Sequence, residues 1–254
     1  MSPSTGKIVT WNCNGLKANA ASTKEKLGFF DKEFPNGLFS IAVFIESHHR
    51  NIDDIPLALR EYDSTHNLFH TPAPPGHSHR GIIVLISKAY TVLFWREVIP
   101  GRLINIKYFD QGEEKEFNFS AFYGPVQRDL KCADVEGLIK HFHDLHAVSD
   151  NNIILGDFNF IDNHLDKSKG LESHDKMIGR FWEIFKRAKR VSDPYREHFP
   201  STKTFSYHSK NGKSRGDRVY VSKDSTHTIL KQIRINFYLL YLLLSKKKDL
   251  AIGN

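Results

Sequence analysis

Apolar residues in this chain gather in short dense runs separated by polar turns. Residues 41–45 (IAVFI) and 81–86 (GIIVLI) are unbroken apolar stretches, the pattern of central strands covered on both faces. Residues 8–11 are short, apolar and β-branched. Residues 90–95 and 103–108 read as a strand pair, and 117–123 (FNFSAFY) alternates before stopping at Gly124-Pro125. Residues 152–155 (NIIL) run into Gly156-Asp157, and 203–207 and 218–221 are late short strands. Helical spacing is rarer. Residues 22–34 carry Leu27, Phe30 and Phe34 and stop before Pro35 and Gly37. Residues 130–147 place Val135, Leu138, Ile139, Phe142 and Leu145 on one face. Residues 175–189 repeat apolar positions at Ile178, Phe181, Trp182 and Phe185, with a basic end (Lys186, Arg187, Lys189, Arg190) suited to the helix dipole.

Residues 70–80 (HTPAPPGHSHR) predict an irregular surface loop, and their prolines favour that reading over a metal site built from His70, His77 and His79. No internal repeat or linker divides the chain. Strands with helices between them predict one α/β domain with packed sheets.

Composition narrows the function. The chain has 254 residues, 40% of them hydrophobic, enough for a sizeable core. A net charge of +7 favours polyanionic partners, nucleic acid first and anionic membrane second. Two distant cysteines, Cys13 and Cys132, argue against a zinc or disulfide framework and fit a reducing compartment. The opening MSPSTGKIVTWN is polar and then strand-like, unlike a signal peptide, so a nuclear or cytoplasmic rather than secreted location is expected. The apolar run 237–244 (FYLLYLLL) falls short of the roughly 20 residues that span a membrane, and no membrane partner is expected.

The chemistry sits where apolar strands end. Asn12 and Asn14 follow a strand and precede Gly15, and a carboxamide offers a carbonyl oxygen to a hard cation or a donor to a phosphate. Turn formation accounts for the same residues. Glu46 closes IAVFI, and Mg²⁺ takes one or two carboxylates together with waters and phosphate; the alternative is an exposed strand-end Glu. Gly156-Asp157-Phe158-Asn159 ends another buried strand: Asp157 can orient or deprotonate a water and Asn159 can hold a phosphate oxygen, although such a tetrapeptide is common in turns. Asp217 stands at the mouth of a strand between Arg215 and Arg218, whose guanidinium groups could bind phosphate bidentately. Tyr123, before Gly-Pro, offers a hydroxyl to a scissile phosphate or is a core tyrosine with its hydroxyl at the edge.

Taken in order, W-N-x-N-G-L, a strand ending in Glu, Y-G-P, L-G-D-F-N and S-R-x-D-R-V-x-V-S resemble the endonuclease/exonuclease/phosphatase superfamily over about residues 7–222. Ser214-Arg215-Gly216-Asp217, the Thr204-Phe205-Ser206 segment and Asp193-Pro194-Tyr195-Arg196 look most like the apurinic-type endonucleases of LINE-class (non-LTR) retrotransposons. The resemblance implies a DNase I-like fold: a four-layer α/β sandwich of two packed mixed β-sheets flanked by helices. It implies a Mg²⁺-dependent phosphodiesterase that nicks DNA, with Mn²⁺ as a substitute, and in a full-length element a reverse transcriptase domain on the same polypeptide. Glu46, with Asn14, would hold the metal, and Asn12 would support that end of the site. Tyr123 and Asn159 would hold the scissile phosphate, Asp157 would align or deprotonate the attacking water, and Asp217 would orient a later histidine. Thr204, Ser214 and Arg215 would lie near the DNA backbone.

One element of the family pattern is missing. The family closes on Ser-Asp-His, and no Asp-His dipeptide occurs anywhere in this chain. His227 comes too early to replace it and reads as a loop residue. The expected division is a nuclease-like domain over 1–236 and an atypical tail over 237–254, with hydrolysis impaired. Two other readings are a DNA-binding pseudo-nuclease and a phosphoinositide-type phosphatase of the same superfamily; the basic charge and S-R-x-D favour DNA over lipid.

Overall fold

The computed structural model describes residues 7–17, 20–125, 132–148, 150–170, 173–209 and 212–223. His227 and the tail 237–254 lie outside them, as does the proposed boundary at 236.

Sheet A is ordered β1-β2-β4-β3, from β1 (Ile8–Asn12), β2 (Ile41–Ile45), β3 (His66–Thr71) and β4 (Ile82–Ser87). Sheet B is ordered β5-β6-β7-β8-β12-β9, from β5 (Tyr90–Ile99), β6 (Leu103–Asp110), β7 (Lys115–Tyr123), β8 (Asn151–Asp157), β9 (Val191–Ser192) and β12 (Asp217–Ser222). A small antiparallel hairpin joins β10 (Tyr207–Ser209) to β11 (Gly212–Ser214). The helices are α1 (Ala21–Glu33), α2 (Leu57–Arg60), α3 (Cys132–Leu145), α4 (Ser173–Lys189) and α5 (Pro194–His198).

Three apolar layers account for the runs in the sequence. Alternate residues of β2 and β4 (Ile41, Val43, Ile45, Ile82, Val84, Ile86) face alternate residues of sheet B (Ile104, Ile106, Phe119, Ile153, Leu155, Val219) and fill the space between the sheets. The intervening residues Ala42, Phe44, Ile83 and Leu85 point the other way, onto Leu27, Phe30 and Phe34 of α1 and its C-cap. On the far side of sheet B, Phe122, Ile154 and Tyr220 meet Phe142 of α3 and Trp182 and Phe185 of α4. Helix, sheet, sheet, helix is the four-layer sandwich that the resemblance implied, and a strand inside it is apolar at most positions.

Two local expectations change. The strand expected over 203–207 starts only at Tyr207, because residues 200–206 form a turn and an irregular segment in which Tyr195 hydrogen-bonds Thr204. The expected loop 70–80 is irregular only after Thr71: His70 and Thr71 belong to β3, an edge strand paired solely with β4 among the described residues. An edge strand exposed on one side needs no continuous apolar run, so β3 left little trace in the sequence.

Parallel pairing sets the site. β1 runs parallel to β2 and β7 parallel to β8, so each pair delivers its C-terminal ends to one edge. β12 enters antiparallel to β8, bringing its first residue, Asp217, opposite Asp157. Gly156 permits the close β7–β8 approach there: its φ is +147° and a Cβ would stand 1.8 Å from the Phe122 carbonyl oxygen. Gly156→Ala should therefore lower unfolding free energy by more than about 2 kcal/mol, combining backbone strain with overpacking. An unchanged urea midpoint would show that β7 and β8 can part at this point.

Candidate active site

The strand ends meet at one carboxamide. Asn12, the last residue of β1, donates from Nδ2 to Glu46 Oε1 at 3.1 Å and to Asp157 Oδ2 at 2.9 Å. One contact lies within sheet A and the other crosses to sheet B, so a single side chain joins the edges of both sheets. Its Oδ1 accepts from the Asn14 backbone N–H at 3.2 Å. Burial, and behind it the neighbouring Glu46 carboxylate, push the Tyr123 phenol pKa far up and keep it protonated. Arg102 lies beneath the Tyr123 ring, 5.2 Å from its centroid, and donates to the Tyr123 carbonyl at 3.2 Å.

Asn159 is tied in twice: its N–H donates to Asp157 Oδ1 at 3.0 Å and its Nδ2 to the Gly124 carbonyl at 2.8 Å. Asp217 N–H donates to Ser206 Oγ at 3.2 Å, while Asp217 Oδ1 is shut off from solvent with no hydrogen-bond partner among the described residues. Burial raises the pKa of both Asp157 and Asp217. Asp157 is helped back down by Asn12 and the Asn159 N–H, whereas Asp217 is pushed further, by the neighbouring Asp157 charge, to about 8.

The backbone is turned at this edge through left-handed conformations, which Asn tolerates better than Glu does. Asn14, Glu46 and Asn159 all have left-handed φ, at 45°, 56° and 54°. Each such residue costs of order 1–3 kcal/mol and persists only where its surroundings enforce it.

The structure thus brings together Asn12, Glu46, Tyr123, Asp157, Asn159 and Asp217, drawn from β1, β7, β8, β12 and the turns after β2 and β8. Asn14 is exposed and joins through its backbone. The residues expected near a DNA backbone stand differently. Thr204 is half-buried and bonded to Tyr195. Ser214 ends β11 and accepts from Ser206 N–H through its carbonyl at 2.9 Å. Arg215, in contrast to the outward placement implied by the resemblance, is 0% exposed. Its guanidinium binds Asp166 through Nε and Nη2, both at 2.9 Å, and also Asp193, under the ring of Tyr195. Asp193 simultaneously caps α5 by accepting from the Tyr195 and Arg196 N–H groups. Arg218 is likewise buried, bound to Asp162 at 3.1 Å and to the Phe160 carbonyl. Two arginines that look like phosphate ligands in sequence are thus held inside the protein, because Asp162, Asp166 and Asp193, scattered along the chain, fold around them. Arg102 and Lys26 touch the site or its supporting turns and carried no signal in the sequence that distinguished them from their neighbours; Ser206 lies within the Thr204-Phe205-Ser206 segment, which did not mark it as a site residue.

Oxygen donors suit a hard cation. The Glu46, Asp157 and Asp217 charges repel one another. Among the described residues no three His, Cys, Asp or Glu side chains enclose a metal by themselves; Mg²⁺, which keeps several waters and needs only one or two carboxylates, fits such an open set.

Arg215→Ala would take the bidentate partner from buried Asp166, leaving it Arg196 alone, and should remove about 3 kcal/mol of stability in urea unfolding; unchanged stability with weaker DNA binding would instead place Arg215 at the phosphate. Asp217 gives a pH signature in EDTA. The folded carboxyl keeps its proton up to about 8, whereas the unfolded one releases it near pH 4, so stability falls as pH rises through that window. Asp217→Asn should remove this decline, matching the parent below about pH 4 and exceeding it above about pH 8 in unfolding free energy.

No protein-family model matches this chain, and no curated protein does. Solved structures do. The AP endonuclease LMAP from Leishmania major superposes with a TM-score of 0.68 at 14% identity, covering 87% of this chain and 80% of its own. The AP endonuclease from Archaeoglobus fulgidus gives 0.65 at 14% identity, covering 87% and 88%. The APE2 catalytic domain from Xenopus laevis gives 0.61 at 17% identity, covering 87% and 83%. At these identities the likeness is one of fold, and the chain has the DNase I-like fold of these proteins.

Proposed function

We propose that this chain is a Mg²⁺-dependent phosphodiester hydrolase that nicks DNA, of the apurinic-type kind carried by LINE-class retrotransposons. The observation that carries the reading is the Asn12 carboxamide bonded at once to Glu46 and Asp157, in a fold shared with proteins named as AP endonucleases. The retrotransposon assignment, and with it a reverse transcriptase domain in a full-length element, rests on Thr204-Phe205-Ser206 and Ser214-Arg215-Gly216-Asp217.

Glu46 would hold the cation, with the Asn14 carboxamide within the same turn system; bound there, Mg²⁺ supplies charge neutralisation for the phosphate oxygens. Asp157, with one oxygen held by Asn12 and the other by the Asn159 N–H, is fixed to align a water and accept its proton. The Tyr123 hydroxyl, beside Glu46, and the Asn159 carboxamide, now on the Gly124 carbonyl, are the neutral donors at the same edge and would turn to phosphate oxygens. Asp217 Oδ1 lacks a donor among the described residues, and in this reading it is the seat of the histidine that the sequence does not supply.

Supercoiled-plasmid nicking tests the proposal. With Mg²⁺ the chain should nick slowly, EDTA should stop it, and adding a Ser-Asp-His ending should raise the rate by about 10²–10⁴-fold, the usual worth of a positioned acid–base group. Glu46→Ala or Asp157→Asn should abolish the rescued activity. Binding of DNA with no nicking even after the addition would favour the pseudo-nuclease; neither binding nor nicking would reject the assignment to DNA.

A further inference from the structure

Helix α1 reaches into the turn that carries the two asparagines. Lys26 Nζ donates to the Cys13 carbonyl at 2.6 Å, the Asn14 carbonyl at 3.1 Å and the Gly15 carbonyl at 2.8 Å. Three successive carbonyl dipoles aimed at one point repel one another, and the left-handed backbone that aims them, φ 45° at Asn14 and 88° at Gly15, is itself unfavourable for Asn14. A compact ammonium with three donors satisfies such a cluster; a planar guanidinium does not match it.

The opposite side of the turn is sewn to the end of β2. Cys13 N–H donates to the Ile45 carbonyl at 2.9 Å, Gly15 N–H to the Glu46 carbonyl at 2.6 Å and Leu16 N–H to the Ser47 carbonyl at 2.9 Å. The N–H groups of the turn thus grip the Glu46 backbone while its carbonyls grip Lys26. Between them, Asn14 N–H holds Asn12 Oδ1, which aims Asn12 Nδ2 at Glu46 and Asp157. Releasing the carbonyls would let the 13–15 peptides rotate and the Asn12 amide swing away.

We propose that Lys26 is a positioning residue of the candidate site: by gathering the carbonyls of residues 13–15 it holds Asn12, Asn14 and Glu46 in the arrangement that takes a divalent cation. The inference rests on the metal-dependent reading above. The sign of its effect separates positioning from charge. An ammonium beside a cation site repels the cation, so if Lys26 acted only through its charge, removing it would tighten metal binding. If it acts by position, removing it loosens binding although a positive charge has gone.

The test is Mn²⁺ binding to the full chain, read from the electron paramagnetic resonance of free Mn²⁺, with thermal melting alongside. Lys26→Met should weaken Mn²⁺ binding by about 10–100-fold, the usual range when a ligand loses its orienting partner. Lys26→Arg, which keeps the charge and the stem, should weaken it too. If Lys26→Met melts so far below the parent that folding is in doubt, Lys26→Arg decides alone. Binding that is unchanged or tighter in the folded variants, while Glu46→Gln still weakens it, overturns the role of Lys26 and leaves the metal reading standing. Failure of the parent chain to bind Mn²⁺ at a Glu46-dependent site overturns both.

Discussion

The inner strands of both sheets are covered on both faces, and that constraint governs how their polar groups can stand. Ile41, Val43 and Ile45 of β2 meet sheet B while Ala42 and Phe44 meet α1. A polar side chain along such a strand loses its water and needs a partner inside the protein, as where the Asn105 carboxamide donates to Asn118 and Asn118 donates to the Leu145 carbonyl. The carboxylates and carboxamides of the candidate site stand instead at strand ends, and the parallel pairs β1–β2 and β7–β8 put those ends on one edge. The position of the candidate site follows from the burial of the strands that carry it.

Confinement to an edge has a backbone cost. Asn14, Glu46 and Asn159 sit in left-handed conformations, and each side chain or its backbone is held by groups from another element. Asn159 is pinned by Asp157 and Gly124. The Glu46 turn is bound by the Gly15 N–H, and the Asn14 turn by Lys26. Strain of this kind, concentrated where carboxylates also converge, is common at functional sites, where the surroundings over-determine the backbone. The same edge leaves Asp217 with a raised pKa and an oxygen without a donor among the described residues.

Part of the basic charge of the chain is buried. Arg215 and Arg218 are internal, neutralised by Asp166, Asp193 and Asp162, and they fasten β12 and the segment before it to the 160–166 region and to the start of α5. A buried ion pair of this sort is costly to break because the abandoned charge stays buried. Net charge alone does not tell such structural arginines from those on a surface that meets a polyanion.

The fold class was legible in the chain because continuous apolar runs such as IAVFI and GIIVLI, bounded by polar turns, are what burial of a strand on both faces requires. The strand-end positions of Asn12, Glu46, Tyr123, Asp157 and Asp217 were legible for the same reason: each stands where an apolar run begins or ends. β3 and the start of β10 were not, since edge strands and irregular segments impose no strong pattern. Nor could the sequence separate an arginine bound for phosphate from one bound for a buried aspartate, because the partners of Arg215 lie far along the chain and meet it only when β12, α5 and the 160–166 segment close together. The Asn12 bridge between sheets and the Lys26 clamp were decided in the same way. Local pattern determines which residues stand at the ends of strands; which of them touch is set by how two sheets and a helix pack, and only the tertiary structure contains that.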